Sequence, residues 1–294
     1  MKNPWIEATR PRTLPVSVAG VISGVACAAY FSHILWSQAL LCLLFALLAQ
    51  VASNFANEYF DFKAGLDKKG REGFRRGVTE GDISPRAMLC ATLGCLGLCG
   101  LLGLAMLLIS GQWWLIVPGV LIAVFALAYS TGPWPLSHHG LGDVAVIVFF
   151  GLVPVVLTAY LCAGAQWTAL SLSLPTGIGI GLLAANVLIV NNYRDMEDDR
   201  AGGKHTTVVI FGRKVMSTIY LLDGIVALLV MWPVWRDTIL YSWIIIILYL
   251  AIHRAIWLQL RRLQGHALNP LLGLTAMNLL MFALFTSAAL FMSA

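Results

Sequence analysis

An apolar run that ends in a cluster of acids occupies residues 176–200 and reads TGIGIGLLAANVLIVNNYRDMEDDR. The same arrangement occurs earlier, where the apolar run ALLCLLFALLAQVA at residues 39–52 leads to NEYFDFKAGLD at residues 57–67. Carboxylates are costly next to lipid and rarely occur there without a function. Two acidic clusters at the ends of two apolar runs therefore indicate a shared pocket at one end of a bundle of helices.

The composition is that of a protein embedded in a bilayer. Hydrophobic residues make up 59% of the 294 residues and charged residues only 11%, whereas soluble domains are about 25% charged. Because a helix needs about 20 apolar residues to cross a bilayer, we predict an all-α fold, a polytopic bundle of nine transmembrane helices, in one integral-membrane domain over residues 1–294. The predicted spans are residues 13–31, 35–57, 84–109, 113–130, 142–163, 170–193, 215–235, 239–260 and 271–292.

Two long polar stretches, at about residues 58–83 and 194–213, follow the second and sixth spans and are expected to be loops. Each acidic cluster lies at the start of one of them. Of the 19 lysines and arginines, all except Arg236 fall on the cytoplasmic side when the N-terminus is inside. Because basic residues favour that side, we expect a multi-pass protein of the cell (inner) membrane with both acidic clusters facing the cytoplasm. The net charge of +5 then reflects topology, and no nucleic-acid partner is expected.

Both acidic clusters contain the spacing Asn-x-x-x-Asp, from Asn57 to Asp61 and from Asn191 to Asp195. Residues four apart lie on the same face of a helix, and Asp195 and Asp199 repeat that spacing. Mg²⁺ prefers oxygen ligands, typically one or two carboxylates together with waters and substrate phosphates. Facing acids at the mouth of a helical bundle, with basic residues nearby, therefore predict a site for Mg²⁺ and a diphosphate.

Two other interpretations of the acids remain open at this point. They are either ordinary solvated loop charges or the binding site for the coupling cation of a membrane transporter. Transporter sites usually lie near the middle of the bilayer on broken helices. Because both acidic clusters lie at one membrane face, the pattern favours an enzyme that binds a water-soluble diphosphate head group.

Four stretches of the sequence resemble the UbiA superfamily of intramembrane aromatic prenyltransferases, and most closely its 1,4-dihydroxy-2-naphthoate polyprenyltransferase branch. They are RPRTLP at residues 10–15, NEYFD at 57–61 with GLD at 65–67, YSTGP at 129–133 with HGLGD at 139–143, and NNYRD at 191–195 running on to residues 199–204. The resemblance covers essentially the whole chain. It departs from the family pattern at Glu58, where Asp is usual, and at GFRRGV, residues 73–78, which matches the branch only loosely.

The resemblance implies an activity. The protein would transfer a polyprenyl group from polyprenyl diphosphate to 1,4-dihydroxy-2-naphthoate with loss of CO₂ and diphosphate, giving demethylmenaquinone for menaquinone synthesis. The cofactor would be Mg²⁺, and the partners would be the polyprenyl diphosphate, an aromatic acid acceptor and the lipid bilayer. Other aromatic acceptors remain as alternatives, namely 4-hydroxybenzoate and homogentisate.

The resemblance also implies roles for particular residues. The expected metal ligands are Asn57, Asp61, Asp67, Asp195 and Asp199. The expected catalytic residues are Asp61, Asp195, Asp199, Lys63 and Lys204. The two lysines would stabilise charge on the leaving diphosphate. The expected substrate-binding residues are Asn57, Arg10, Arg12, Tyr129, Tyr193, Arg200 and Asp143.

Overall fold

Helices make up all the regular secondary structure in the residues that the computed structural model describes, which are 3–70 and 73–294. Lys2 and Arg71, both counted in the charge asymmetry, lie outside those residues. The main helices of the described chain are α1 (Pro15–Ala29), α2 (Trp36–Lys63), α3 (Pro85–Ser110), α4 (Ile116–Ala128), α5 (Gly142–Cys162), α6 (Leu170–Ala201), α7 (Thr207–Val230), α8 (Ile239–Leu260) and α9 (Asn269–Ser293). Short helices at Pro4–Ala8, Gly77–Glu80 and Trp232–Asp237 lie between or before them.

Each predicted span falls on one of these helices, and the all-α prediction is confirmed. By length and hydropathy, however, only 6 segments of the described chain are suited to cross a membrane: Trp36–Lys63, Pro85–Ser110, Gly142–Cys162, Trp167–Ala201, Ser242–Leu260 and Gly265–Ser293. The 15 residues of α1 extend only about 22 Å at 1.5 Å per residue, less than the thickness of a hydrocarbon core of about 30 Å. The chain is thus a multi-pass membrane protein, but nine crossings are not confirmed.

Both acidic clusters begin within helices, so the loops predicted to begin at residues 58 and 194 were wrong at their starts. α2 continues to Lys63 and includes Asp61. α6 continues to Ala201 and includes Asp195 and Asp199 on its last turns. The helix persists because residues 191–201 contain no proline or glycine that would end it. Gly203 then adopts a φ of 76°, and the backbone N–H of Lys204 donates to the carbonyl of Asp199 at 2.8 Å.

The bundle is organised around α1 and α6. α1 packs against α2, α5, α6 and α9, and α6 packs also against α5, α7 and α9. α2 holds α3 and α4 on its other side. α5 contains a π-helical turn, Ile147–Leu152, in which Gly151 lies directly against the backbones of Gly177 and Gly181 on α6. Small residues at this crossing let the two backbones touch.

Candidate active site

A polar cavity of about 70 Å³ lies where α2 and α6 end, and side chains from both acidic clusters line it. Eight of the residues expected at the site line this cavity: Arg10, Asn57, Asp61, Tyr129, Asp143, Asp195, Asp199 and Lys204. The fold thereby brings the two clusters together, as their matched spacing predicted.

Asp61, at the end of α2, is fully buried and lies among cations. Its Oδ2 accepts a hydrogen bond from the Nζ of Lys204 at 2.7 Å, and a guanidinium nitrogen of Arg76 lies 3.8 Å from the same oxygen. The Nε2 of His138 lies 3.9 Å from Oδ1, and Oδ1 itself has no hydrogen-bond partner. Asp61 is thus held by one strong ion pair and keeps one buried oxygen without a hydrogen bond.

Asn57 lies one turn before Asp61 and forms hydrogen bonds with two arginines. Its Oδ1 accepts hydrogen bonds from Arg10 and, at 3.2 Å, from Arg76. Its Nδ2 donates to the Oγ of Ser130 at 3.1 Å. Arg10 has a φ of 52°, a left-handed conformation that a non-glycine residue adopts at some cost and that often marks a functional site. Asn57 was expected on the metal; in this structure its oxygen is bound to guanidinium groups.

Asp195 is bound by its neighbour in the sequence. The Nε of Arg194 donates to Oδ1 at 2.6 Å and its Nη2 donates to Oδ2 at 2.8 Å. Both residues are buried, at 3% exposure. Sequence reasoning did not select Arg194, although it lies inside the quoted motif. The signal that was overlooked is an arginine directly adjacent to an acid that was expected to bind the metal.

Asp143 and Tyr129 form the opposite wall of the polar cavity. The Oδ2 of Asp143 accepts a hydrogen bond from the Oγ1 of Thr207 at 2.5 Å. Tyr129 presents its hydroxyl and ring to the cavity.

Three of the expected basic residues lie outside the cavity. Lys63 is exposed on the last turn of α2. Arg200 is also exposed and pairs with Glu197 at 3.1 Å. Arg12 is exposed and donates to the carbonyl of Asn269 at 3.3 Å. The fold therefore leaves these three side chains at the surface, outside the cavity lining.

Two more expected residues also lie outside the cavity lining. Tyr193 is buried beneath the guanidinium of Arg213, whose carbon lies 5.6 Å from the ring centre. Asp67 faces the Nε of Arg76 at 3.3 Å. Arg76, in contrast, enters the cavity, whereas its neighbour Arg75 lies at the surface and pairs with Asp82 at 2.5 Å. The alternative that the acids are solvated loop charges is excluded for Asp61 and Asp195, which are buried.

A second, apolar cavity of about 580 Å³ adjoins the polar one and extends among α1–α6. Its walls include Phe125 and Phe149, whose ring centres lie 4.8 Å apart. Phe74, Tyr129 and Leu188 line both cavities and mark the junction between them. A small charged compartment thus opens directly into a long hydrophobic one.

The donor set fits a metal that is bound together with a phosphate ligand. Within residues 3–70 and 73–294, no three Asp, Glu, His or Cys side chains converge closely enough to hold an ion by themselves. Mg²⁺ usually takes only one or two carboxylates and completes its shell with phosphate oxygens and waters. The unbonded Oδ1 of Asp61 is an oxygen that such an ion would engage.

Residues 17–270 match the model of the UbiA prenyltransferase family. The chain belongs to this family. It is 34% identical to 1,4-dihydroxy-2-naphthoate octaprenyltransferase of Escherichia coli (strain K12), over 98% of this chain and 95% of that protein. The enzyme of the same name from Haemophilus influenzae is 38% identical over 71% of this chain and 69% of its own length.

Solved structures of UbiA homologues share the fold. The apo homologue from Aeropyrum pernix K1 superposes with a TM-score of 0.68 at 13% identity, covering 93% of this chain and 96% of that one. The homologue from Archaeoglobus fulgidus, solved with GPP and Mg²⁺, gives a TM-score of 0.59 at 14% identity, covering 98% of this chain and 99% of that one. The helical arrangement described above is therefore that of the UbiA family.

Proposed function

We propose that this protein transfers a polyprenyl group from polyprenyl diphosphate to 1,4-dihydroxy-2-naphthoate, releasing diphosphate and CO₂ and giving the reduced, naphthalenediol form of demethylmenaquinone. The observation that carries the proposal is the junction of a charged cavity with a long apolar one. A polyprenyl diphosphate has the same two parts, a charged head and a hydrocarbon tail. The names of the E. coli and H. influenzae relatives support the naphthoate acceptor.

The polar cavity would bind the diphosphate head. Four cations line it, and three of them, Lys204, Arg76 and Arg10, are held by Asp61 or Asn57 in this structure. Mg²⁺, when bound, would neutralise the diphosphate and make it a better leaving group. The carboxylates that would hold it are Asp61, Asp195 and Asp199, and the three basic side chains would stabilise the charge that develops as the C–O bond breaks.

The apolar cavity would bind the tail and exclude water. The C–O bond of the allylic diphosphate breaks with its electron pair leaving on oxygen, and the cation so formed is destroyed if water reaches it. Phe74 and Tyr129 lie at the junction, where their ring faces would stabilise a positive carbon. The end of the tail would continue sideways into lipid.

The acceptor would react at the same junction. The electron-rich ring carbon that carries the carboxylate forms the new C–C bond to the allylic carbon. The carboxylate then leaves as CO₂, and the electron pair of that broken bond restores the aromatic ring. Both atoms and charge balance without an oxidant or a reductant. We place these steps at the cytoplasmic face of the cell (inner) membrane, in one integral-membrane domain, because the basic residues are concentrated at that end.

An acceptor assay tests the proposal. Purified protein in detergent, given Mg²⁺ and a polyprenyl diphosphate, should release diphosphate and CO₂ and form a prenylated naphthalenediol when 1,4-dihydroxy-2-naphthoate is added. Parallel reactions contain 4-hydroxybenzoate or homogentisate as the acceptor. Turnover of one of these and not of the naphthoate would overturn the acceptor assignment, and turnover of none would overturn the activity.

A further inference from the structure

Arg194 connects three separate parts of the fold around Asp195. Its two hydrogen bonds to the two carboxylate oxygens of Asp195 form a fork. In addition, its Nη1 donates to the Oδ1 of Asn269, the first residue of α9, at 3.0 Å. Its Nη2 donates to the Oδ1 of Asn191 at 2.9 Å. Four of the five N–H donors that a guanidinium has are thus used inside the protein. The side chain therefore has no second pair of N–H donors available to bind a substrate.

The segment between α2 and α3 lies on the other side of this guanidinium. The ring centre of Phe74 lies 5.3 Å from the Cζ of Arg194. Gly73 approaches even more closely, because a Cβ built there would lie 2.7 Å from the Nη2 of Arg194 and 3.1 Å from each carboxylate oxygen of Asp195. The absence of a side chain at residue 73 therefore allows the backbone to rest on the ion pair, and Phe74 then reaches the junction of the two cavities.

We propose that Arg194 is a positioning residue that fixes the Asp195 carboxylate and the Gly73–Phe74 segment together, and thereby sets the affinity of the site for Mg²⁺. The inference rests on the proposed function, because it takes Asp195 as a metal ligand. A fork engages one lone pair on each carboxylate oxygen, so a metal meets Asp195 through the second lone pair, in an orientation that Arg194 imposes. Partners that orient a metal ligand in this way typically contribute a factor of 10 to 100 in metal affinity.

The test measures metal dependence without turnover. Thermal unfolding of the substrate-free protein in detergent is followed with inorganic pyrophosphate present while Mg²⁺ is titrated. Wild-type protein should be stabilised. Arg194→Gln should need about ten-fold more Mg²⁺ for half of the maximal shift. Arg194→Lys should behave like Arg194→Gln, because a lysine keeps the charge but cannot form the fork.

Gly73→Ala provides an independent variant that leaves the helices intact. Its methyl group would displace the loop from Arg194 and Asp195, so it should raise the Mg²⁺ requirement in the same direction. Arg213→Gln is the matched control. Arg213 also lies over an aromatic ring, that of Tyr193, and pairs with an acid, Glu197, at 3.5 Å, but it lies outside the cavity. Its Mg²⁺ titration should match that of the wild type.

The outcomes separate the two proposals. If wild-type protein gains no stability from Mg²⁺ and pyrophosphate, the diphosphate site itself is wrong. If wild-type protein is stabilised and Arg194→Gln shows an unchanged Mg²⁺ midpoint, the positioning role is wrong. A lower Mg²⁺ midpoint in Arg194→Gln with an unchanged midpoint in Arg194→Lys would also overturn it, because that pattern indicates competition between two cations for Asp195.

Discussion

Lys204 and Asp61 form an ion pair of 2.7 Å although 143 positions separate them in the chain. The side chain of Asp61 is fully buried and that of Lys204 is 10% exposed. Because Lys204 follows directly on α6 and Asp61 lies at the end of α2, this pair joins the two acidic clusters across the cavity. The same lysine then lies where a diphosphate held at Asp61 would need a cation.

Substitutions in the Lys204–Asp61 pair should separate an effect on protein stability from an effect on activity. Lys204→Met leaves the Asp61 carboxylate without its partner, and removing one member of a buried pair costs roughly 3–5 kcal/mol. We therefore expect Lys204→Met to lower the unfolding temperature and Lys204→Met/Asp61→Asn to recover most of it. Both variants should lose turnover by about 100-fold or more. Thermal unfolding beside the prenyl-transfer assay measures both effects, and a double variant that regains activity would contradict the role of the pair.

The acidic residues themselves should be indispensable. We expect Asp61→Asn and Asp195→Asn each to reduce turnover by about 100-fold or more, since each change removes a charged oxygen from the cavity. Elution as a monodisperse peak in detergent checks that the proteins are folded. Activity near that of the wild type in either variant would mean that the metal–diphosphate complex is held elsewhere.

Substitution of the two lysines expected at the site should affect turnover to different extents. Lys204 lines the cavity, whereas Lys63 is exposed at the surface and lies outside the cavity lining. Lys204→Gln should therefore reduce turnover by about 100-fold and Lys63→Gln far less. The comparison of kcat and of KM for the donor in these two variants checks the assignment. Equal losses would show that the end of α2 closes over the substrate.

Removal of divalent metal should abolish activity and leave the fold intact. Chelation with EDTA takes away the ion that the carboxylates and the diphosphate would share, and added Mg²⁺ should restore turnover. Ca²⁺ should restore less, because it favours longer bonds and more ligands than Mg²⁺. Full activity in EDTA would contradict the metal requirement.

The apolar cavity should select the length of the donor. Ala49 lines it, so Ala49→Phe would fill part of the space and should lower kcat/KM for long polyprenyl diphosphates more than for geranyl diphosphate. Leu101→Phe is the control, because Leu101 is 65% exposed on α3 and faces outward. The ratio of the two kcat/KM values, measured in each variant, is the readout, and an unchanged ratio in Ala49→Phe would contradict the tail assignment.

The helices were predictable from hydropathy because a chain of this composition must satisfy its backbone hydrogen bonds internally in lipid. The number of helices that cross the membrane was not predictable in this way. Hydropathy marks apolar stretches, but α1 is too short to span alone, and α7 contains Arg213, Lys214 and Asp223. The C-terminal end of α6 was also predicted wrongly. A polar stretch of sequence resembles a loop when the residues that pair with its side chains are unknown.

The acidic half of the site was predictable from its repeated spacing, whereas only part of the cationic half was, because Arg10 and Lys204 were expected at the site and Arg76 and Arg194 were not. Arg76 and Arg194 enter the site through contacts with Asn57 and Asp195, and nothing in the sequence distinguishes Arg76 from Arg75. Lys63 and Arg200 were expected because they neighbour the acids, yet helical geometry directs them to the surface. Which basic side chain faces inward depends on tertiary packing.

The contact of Gly151 with Gly177 and Gly181 has a consequence for substrate selection. Phe149 and Phe150, beside Gly151 on α5, form part of the wall of the apolar cavity. A methyl group at residue 151 would meet the backbones of Gly177 and Gly181, force α5 and α6 apart and so shift both rings in the wall of the apolar cavity. The shape of the proposed tail site therefore depends on Gly151, a residue that is not part of its lining.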